Sequence, residues 1–182
     1  MVGSVDGRLR KSDLAHGEQP LIPSAVFTLH QATVSMRLHA VRGLEYLLDT
    51  LLDRDAAPVT ASLVLTPHTY CSQELSPPEF PPSNLLVGVD QEHAVAAVAL
   101  LAFDQRHHSH QWLPQGNAWH QDVAALVMDP ANAEDAVFPR EAYITTAQLR
   151  AVVADWAWGD QLPPAGVRWR PATEREVRWS WF

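Results

Sequence analysis

The sequence predicts an α+β domain, built as an antiparallel sheet of about four to six strands in a meander with two packed helices. Three observations predict it. Apolar runs of strand length recur with polar turn residues between them, the segment "MRLHAVRGLEYLLDTLLDRD" carries its leucines at helical spacing, and Thr145 with Gln148 has the spacing of a capping box.

From the N-terminus, residues 1–23 mix Gly, Pro, Ser and charges without periodicity and end in Pro20 and Pro23, so they are assigned to a flexible arm outside the fold. A single domain is expected over residues 24–171. The stretch "AVFTLHQATV", Ala25 to Val34, is rich in β-branched and aromatic residues and reads as one strand, after which Ser35 stands where a helix N-cap belongs. In the helix that follows, Val41, Leu44, Leu48 and Leu51 share a face that Leu38, Leu47 and Leu52 widen, while Arg42, Glu45, Asp49 and Asp53 face away. "VTASLVLTP" (59–67) is a second strand, and the proline-rich "SPPEFPPSN" (76–84) is a loop, because proline cannot donate to a strand ladder.

In "LLVGVDQEHAVAAVALLAFD" (85–104), two apolar stretches are broken by Asp90, Gln91, Glu92 and His93, the polar insert of a hairpin turn. "QDVAALVMD" (121–129) reads as a further strand. The capping box opens a helix expected from about 146 to 158, with Leu149, Val152, Val153 and Trp156 as its apolar stripe and Gly159 as its C-cap. Pro163 and Pro164 end it, and "VRWRP" (167–171) alternates like a short strand. Residues 172–182 form a Trp-rich tail whose Trp179 and Trp181 either pack back on the fold or meet a partner.

A length of 182 residues suits one domain, and a hydrophobic share of 47% supports a full core, which excludes disorder of the charged kind. No apolar run approaches the roughly 18–20 residues of a membrane span, and the opening residues lack the apolar centre of a signal peptide. A cytoplasmic protein with no membrane partner is the expectation. The lone Cys71 excludes an internal disulfide and any cysteine-based zinc site. Net charge is −8, with basic residues gathered near the ends; residues 12–165 hold six arginines against eighteen acidic residues, a local net of −12. Such a body disfavours direct nucleic-acid binding and eases attraction to a basic protein.

The stretch "RHHSHQWLPQGN" (106–117) crowds three histidines into four positions. On an extended chain His108 and His110 share a face and could offer two imidazoles to zinc or iron. Trp112, Leu113, Pro114 and Gln115 follow instead of a carboxylate, so a third ligand would have to come from His120, Asp104 or Asp122. Exposed turn histidines are the simpler reading, and no metal ligand or cofactor is assigned. A nucleophile elbow, a Gly-x-Gly phosphate loop and the zinc deaminase cysteines are all missing, and the adjacent acids Glu134 and Asp135 read as solvated. No catalytic residue is assigned. Trp156 belongs to the core by its helical position, whereas Trp112 and Trp119, flanking "LPQGNA", are either packing groups or binding handles.

The C-terminal block "FPREAYITTAQLRAVVADWAWGDQLPPAGVRWRP" resembles the close of immunity protein family one, the immunity proteins of bacterial polymorphic toxin systems. The shared parts are a Thr-led amphipathic helix with an aromatic near its end, a Gly-and-Pro connection, and a Val-x-Trp strand. Upstream, "NLLVGVDQEHAVAAVALLAFD" resembles the family's central hairpin and "HQWLPQGNA" its aromatic and glycine turn, so the resemblance runs from about Ala25 to Pro171. The arm, the proline-rich loop, the histidine cluster and the Trp-rich tail have no counterpart in it. The resemblance implies a non-catalytic immunity protein that binds a cognate toxin domain, often of deaminase type and aimed at nucleic acid, and occludes its active site. Toxin-interface candidates near the hairpin turns are Asp90, Glu92, Trp112, Trp119 and Asp122. Two other classes stay open: a small metalloenzyme or metal-binding protein using His108, His110 and His120, and an oligomeric scaffold joined through the tail tryptophans.

Overall fold

The computed structural model describes residues 8–14, 21–29, 32–37, 41–52, 59–66, 82–128, 136–173 and 175–177. Among these, the elements run in the order β1 (Leu9–Arg10), β2 (Ile22–Leu29), β3 (Ala32–Arg37), α1 (Val41–Leu51), β4 (Val59–Thr66), β5 (Ser83–Asp90), β6 (Val95–Phe103), β7 (Ser109–Pro114), β8 (Tyr143–Thr145), α2 (Thr146–Trp158), β9 (Gln161–Leu162) and β10 (Trp169–Pro171). The main sheet has eight strands in the path β10-β7-β6-β5-β4-β2-β3, with β8 on β6 off that path. Every pairing is antiparallel. The α+β class, the antiparallel sheet and the two helices are as expected; six strands are long, and the two of three residues, β8 and β10, complete the eight. From β4 to β7 the strands follow as a meander, and the order breaks where β4 takes β2 as its neighbour and leaves β3 at the sheet's end.

β6 shares one of its edges between two strands. Leu100 to Phe103 pair with β7, whereas Val95 to Ala97 pair with β8. The chain leaves the sheet after Pro114 and returns at Tyr143, so the intervening segment is free to lie across a face. This excursion gives the central strands two covers. On one face Leu149, Val152, Val153 and Trp156 of α2, with Leu48 and Leu51 of α1, pack on Leu85, Val87, Val89, Val98 and Leu100. On the other, Val123, Leu126, Met128, Phe138 and Tyr143 pack on Leu86, Val95, Ala97 and Ala99. Alternate residues of β5 and β6 thus enter opposite cores, which is why both strands read as continuous apolar runs. Gly88 brings the second cover close, since a Cβ there would stand 3.0 Å from Phe138 Cε2 and 3.3 Å from Leu126 Cβ. Two buried polar pairs lie in the core: Trp156 Nε1 donates to Ser83 Oγ at 3.1 Å and Ser62 Oγ to Asn84 Oδ1 at 2.9 Å.

The capping box holds as read, with Gln148 N–H donating to Thr145 Oγ1 at 3.2 Å and Thr145 N–H to Gln148 Oε1 at 2.9 Å. Gly159 closes α2, its N–H donating to the Asp155 carbonyl at 2.7 Å. Four expectations are corrected. The single strand over Ala25 to Val34 is two antiparallel strands, β2 and β3, with Leu29 paired to Ala32. Ser35 lies inside β3, paired with Val26, and is no N-cap; α1 starts at Val41. Residues 121–129 form no strand as far as Met128, the last described; they drape over the second face, with Val127 making only an isolated bridge to Val137.

The arm is the fourth correction, for its described residues belong to the packed unit. Leu9 and Arg10 pair with Leu162 and Gln161, and Leu14 is wholly buried in the helix-side core and bridges to Asp104. Pro23 lies in β2. One buried leucine is worth about 2 kcal/mol, and the Lys11 N–H bond to the Asp160 carbonyl and the Gln105 N–H bond to the Asp13 carbonyl add to it against the entropy of ordering the segment. In the tail, Val177 is buried in the second core; Trp179, Trp181, Cys71, and Glu134 with Asp135 lie outside the described residues. No helix among the described residues is long and apolar enough to cross a membrane.

Candidate functional site

The turn after β5 is built by Asp90. Its Oδ1 accepts the His93 backbone N–H at 3.1 Å, and its Oδ2 meets His93 Nδ1 at 2.8 Å. This side chain is buried and structural, as is Gln91, whose Nε2 donates to the Leu51 carbonyl at 3.2 Å and so satisfies the C-terminal end of α1. Ala94, at φ 55, completes the reversal, and its carbonyl accepts Thr146 N–H at 3.1 Å, tying the turn to the start of α2. Glu92 alone of the acidic pair is exposed.

A second loop leaves β7 beside it. Gln115, Gly116 and Ala118 donate backbone N–H groups to the carbonyls of Arg168, Glu141 and Tyr143, at 2.7, 2.7 and 3.1 Å. Gly116 permits this lacing, because any Cβ there would overlap the Tyr143 carbonyl. The Arg140 guanidinium sits 4.3 Å above the half-buried Trp119 ring, a cation–π contact that fixes the indole. His120 Nδ1 lies 3.8 Å from Asp122 Oδ2, and the His120 carbonyl accepts Val123 N–H at 3.1 Å. Buried Val123 anchors the far side.

The two turns meet through His93 and His120, whose rings stand 5.4 Å apart at 70°. The structure thereby brings four of the five interface candidates to one end of the sheet: Asp90 as the buried turn-former, Glu92 and Asp122 as exposed carboxylates, and Trp119 as a partly exposed aromatic. Trp112 is not among them. It is 6% exposed in the helix-side core and stacks on His110 at 5.8 Å. From the sequence, His93 was read only as part of the polar insert of the turn and His120 only as a third metal ligand for His108 and His110, while Arg140 was not singled out. An Asp-x-x-His turn was visible for His93, but nothing local marked Arg140, 21 positions from the ring it covers.

The histidine cluster occupies the opposite end of β6, about 30 Å away by strand length. Asp104 organises it: Oδ1 accepts the N–H groups of Arg106 and His108 at 2.8 and 2.9 Å, and Oδ2 faces His108 Nδ1 at 3.2 Å and His110 Nε2 at 3.4 Å. Burial pushes the Asp104 carboxyl up, but these hydrogen bonds outweigh it and hold it near a pKa of about 2. Gln105 donates to the carbonyls of Asp13 and Ser12, at 3.0 and 3.1 Å, so the turn is also the dock for the N-terminal segment. His108 and His110 are thus separated from His120, and the three do not form one ligand set. Among the described residues no group of three His, Cys, Asp or Glu is arranged to hold a metal ion.

The fold is similar to the crystal structure of a hypothetical protein from Neisseria gonorrhoeae, with a TM-score of 0.51 at 7% identity, covering 80% of this chain and 92% of that one. At that identity the likeness concerns the fold alone. No curated protein matches the sequence. The family model described as Immunity protein Imm1 matches residues 34–171, which take in both turns, most of both cores and the histidine cluster. Over three quarters of its length, therefore, the chain belongs to the Imm1 immunity protein family.

Proposed function

We propose that the protein is a non-catalytic inhibitor that acts in the bacterial cytoplasm, binding a cognate toxin of a polymorphic system used in interbacterial competition and neutralising it by covering its active site. The toxin domain we infer is nucleic-acid-targeting, of deaminase type. The observation that carries the reading is the family match over residues 34–171. The site supports it physically: two turns locked to the sheet and to α2 hold the exposed carboxylates of Glu92 and Asp122 beside Trp119. A rigid acidic surface with an aromatic centre suits a basic, nucleic-acid-binding cleft, and its charges would speed association more than they deepen affinity. Immunity proteins need no chemistry of their own to act this way.

The test is co-expression with the toxin domain encoded beside the chain. Survival of the cells with a one-to-one complex is the expected result; death of the cells despite folded protein and no complex refutes it. The surface is tested by Glu92→Lys with Asp122→Lys, expected to slow association by about tenfold at low salt and much less at high salt. Asp90 is left intact, since its loss would dismantle the turn. Unchanged rates at every salt concentration would remove these turns from the interface.

A further inference from the structure

We propose that His93 and His120 form a binding site for one transition-metal ion of the Zn2+ and Ni2+ class, held between the two turns at their Nε2 atoms. Each imidazole presents its Nδ1 to a carboxylate, His93 to Asp90 at 2.8 Å and His120 to Asp122 at 3.8 Å. Histidine ligands are commonly oriented so: Nδ1–H donates to the carboxylate, which fixes the tautomer and leaves the Nε2 lone pair outward, as at His93, whereas the longer His120–Asp122 approach is within ion-pair reach only. At His93 the fixing is firm, because Asp90 is itself buried and accepts a backbone N–H as well.

The spacing fits. Two imidazoles bound through Nε2 to one tetrahedral ion, with metal–nitrogen bonds near 2.0–2.1 Å, place their ring centres about 5 Å apart. The observed separation is 5.4 Å. The side chains are 26% and 49% exposed, so an ion can reach them from solvent. Each ring also stands on a turn tied down by its own backbone hydrogen bonds, Ala94 with Thr146 on one side and His120 with Val123 on the other. Little freedom is left to lose on binding. Asp90, Glu92 and Asp122 supply local negative charge that favours a cation.

Two nitrogen donors select the metal class. Imidazole suits Zn2+, Ni2+ and Cu2+, while Mg2+ demands oxygen ligands. No third protein ligand converges among the described residues, so water fills the remaining positions. Edge-to-face packing of two rings without an ion has the same spacing. Titration separates the two cases.

The experiment uses the full chain without an affinity tag, stripped of metal and titrated calorimetrically with ZnCl2, NiCl2 and MgCl2 at about pH 7.5, where imidazoles can give up their protons. One Zn2+ or Ni2+ per chain and no Mg2+ is the expected result. His93→Gln and His120→Gln each weaken binding by about tenfold or more, and His108→Gln with His110→Gln leaves it unchanged. Wild-type imidazole NMR, read during the Zn2+ titration, should shift the His93 and His120 resonances whether or not the variants fold. No stoichiometric binding by the wild type, binding unaltered by both single variants, or loss only when His108 and His110 are replaced would each overturn the proposal. None of these readouts involves a toxin, so the site can fail while the immunity function stands.

Discussion

Gly116→Ala is expected to destabilise the protein by about 3 kcal/mol, a large effect for one methyl group on a half-exposed loop. The new Cβ would overlap the Tyr143 carbonyl and lie 3.1 Å from the Tyr143 nitrogen, all backbone atoms with no rotamer to retreat into. Relief requires the 115–118 segment to withdraw from 141–143, which breaks two hydrogen bonds: Gly116 N–H to the Glu141 carbonyl at 2.7 Å and Ala118 N–H to the Tyr143 carbonyl at 3.1 Å. Each such bond is worth about 1 kcal/mol, and crowding that is only partly relieved adds about 1 more. For a chain of this size the sum corresponds to a fall in melting temperature of roughly 6–12 °C. Urea unfolding followed by tryptophan fluorescence measures it, with the slope expected to stay constant. Asn117→Ala, an exposed neighbour, is the control and should stay within about 0.5 kcal/mol of wild type. A Gly116→Ala protein as stable as that control would refute the claim that this loop is laced to the sheet. Because the same loop carries Trp119, the variant should also bind toxin more weakly at temperatures where it remains folded.

Tyr143→Phe removes the hydroxyl that accepts Leu126 N–H at 2.8 Å in the second core, leaving that donor buried and unpaired; a loss of about 1–3 kcal/mol in urea unfolding is expected, and no loss would mean water reaches Leu126. Asp104 and Glu176, both held near a pKa of about 2, keep their stabilisation above about pH 4 and lose it as pH falls toward 2, because the unfolded carboxyls take up protons first. For Asp104, burial opposes the shift and the hydrogen bonds from His108, His110 and Arg106 win; for Glu176, the Arg170 guanidinium and the Thr173 N–H do so directly. Asp104→Asn should therefore flatten acid unfolding between about pH 4 and pH 2, and a curve parallel to wild type would contradict it. Lys11 is the sole lysine, and burial lowers its pKa to about 8 against the raising pull of Asp155 and Asp160. Its acylation by an amine-reactive ester, followed by peptide mapping, should show a rate midpoint near pH 8; a midpoint near pH 10 would place the ammonium in free solvent.

What the sequence disclosed and what it hid follow from where the ordering forces lie. α2 was legible to the residue because Thr145, Gln148 and the stripe from Leu149 to Trp156 are local signals. The β5–β6 hairpin was legible because a polar insert between apolar runs has few alternatives. The β2–β3 pair was missed since no Gly, Pro or Asn lies between Leu29 and Ala32 to mark a boundary between strands. Residues 121–128 misled for the opposite reason. Their apolar side chains face a sheet they do not join, held instead by Tyr143 Oη and by the Met128 N–H to Ala136 carbonyl bond of 2.7 Å. The histidine cluster hid β7 by placing exposed polar residues at its start, and Asp104, which gathers His108 and His110, was visible only as one of three candidate partners for them. Of the site, the acidic and aromatic members were visible as turn residues, but the His93–His120 contact joins loops 27 positions apart and belongs to the tertiary fold alone.

The pairing of β1 with β9 sets an order of events during synthesis. Leu9 leaves the ribosome early, but its partner Leu162 is made 153 residues later, a delay of about 8–30 s at ordinary translation rates. Through that interval Leu14 has no complete cavity to fill, because Leu162 lines the same core. The Leu9–Leu14 segment, translated before the sheet it joins, therefore docks only after α2 is made, and it docks on the Asp104 turn as well as on β9. A nascent chain stalled before Gln161 keeps that flank open, so closure of the fold reports that translation has passed the second helix.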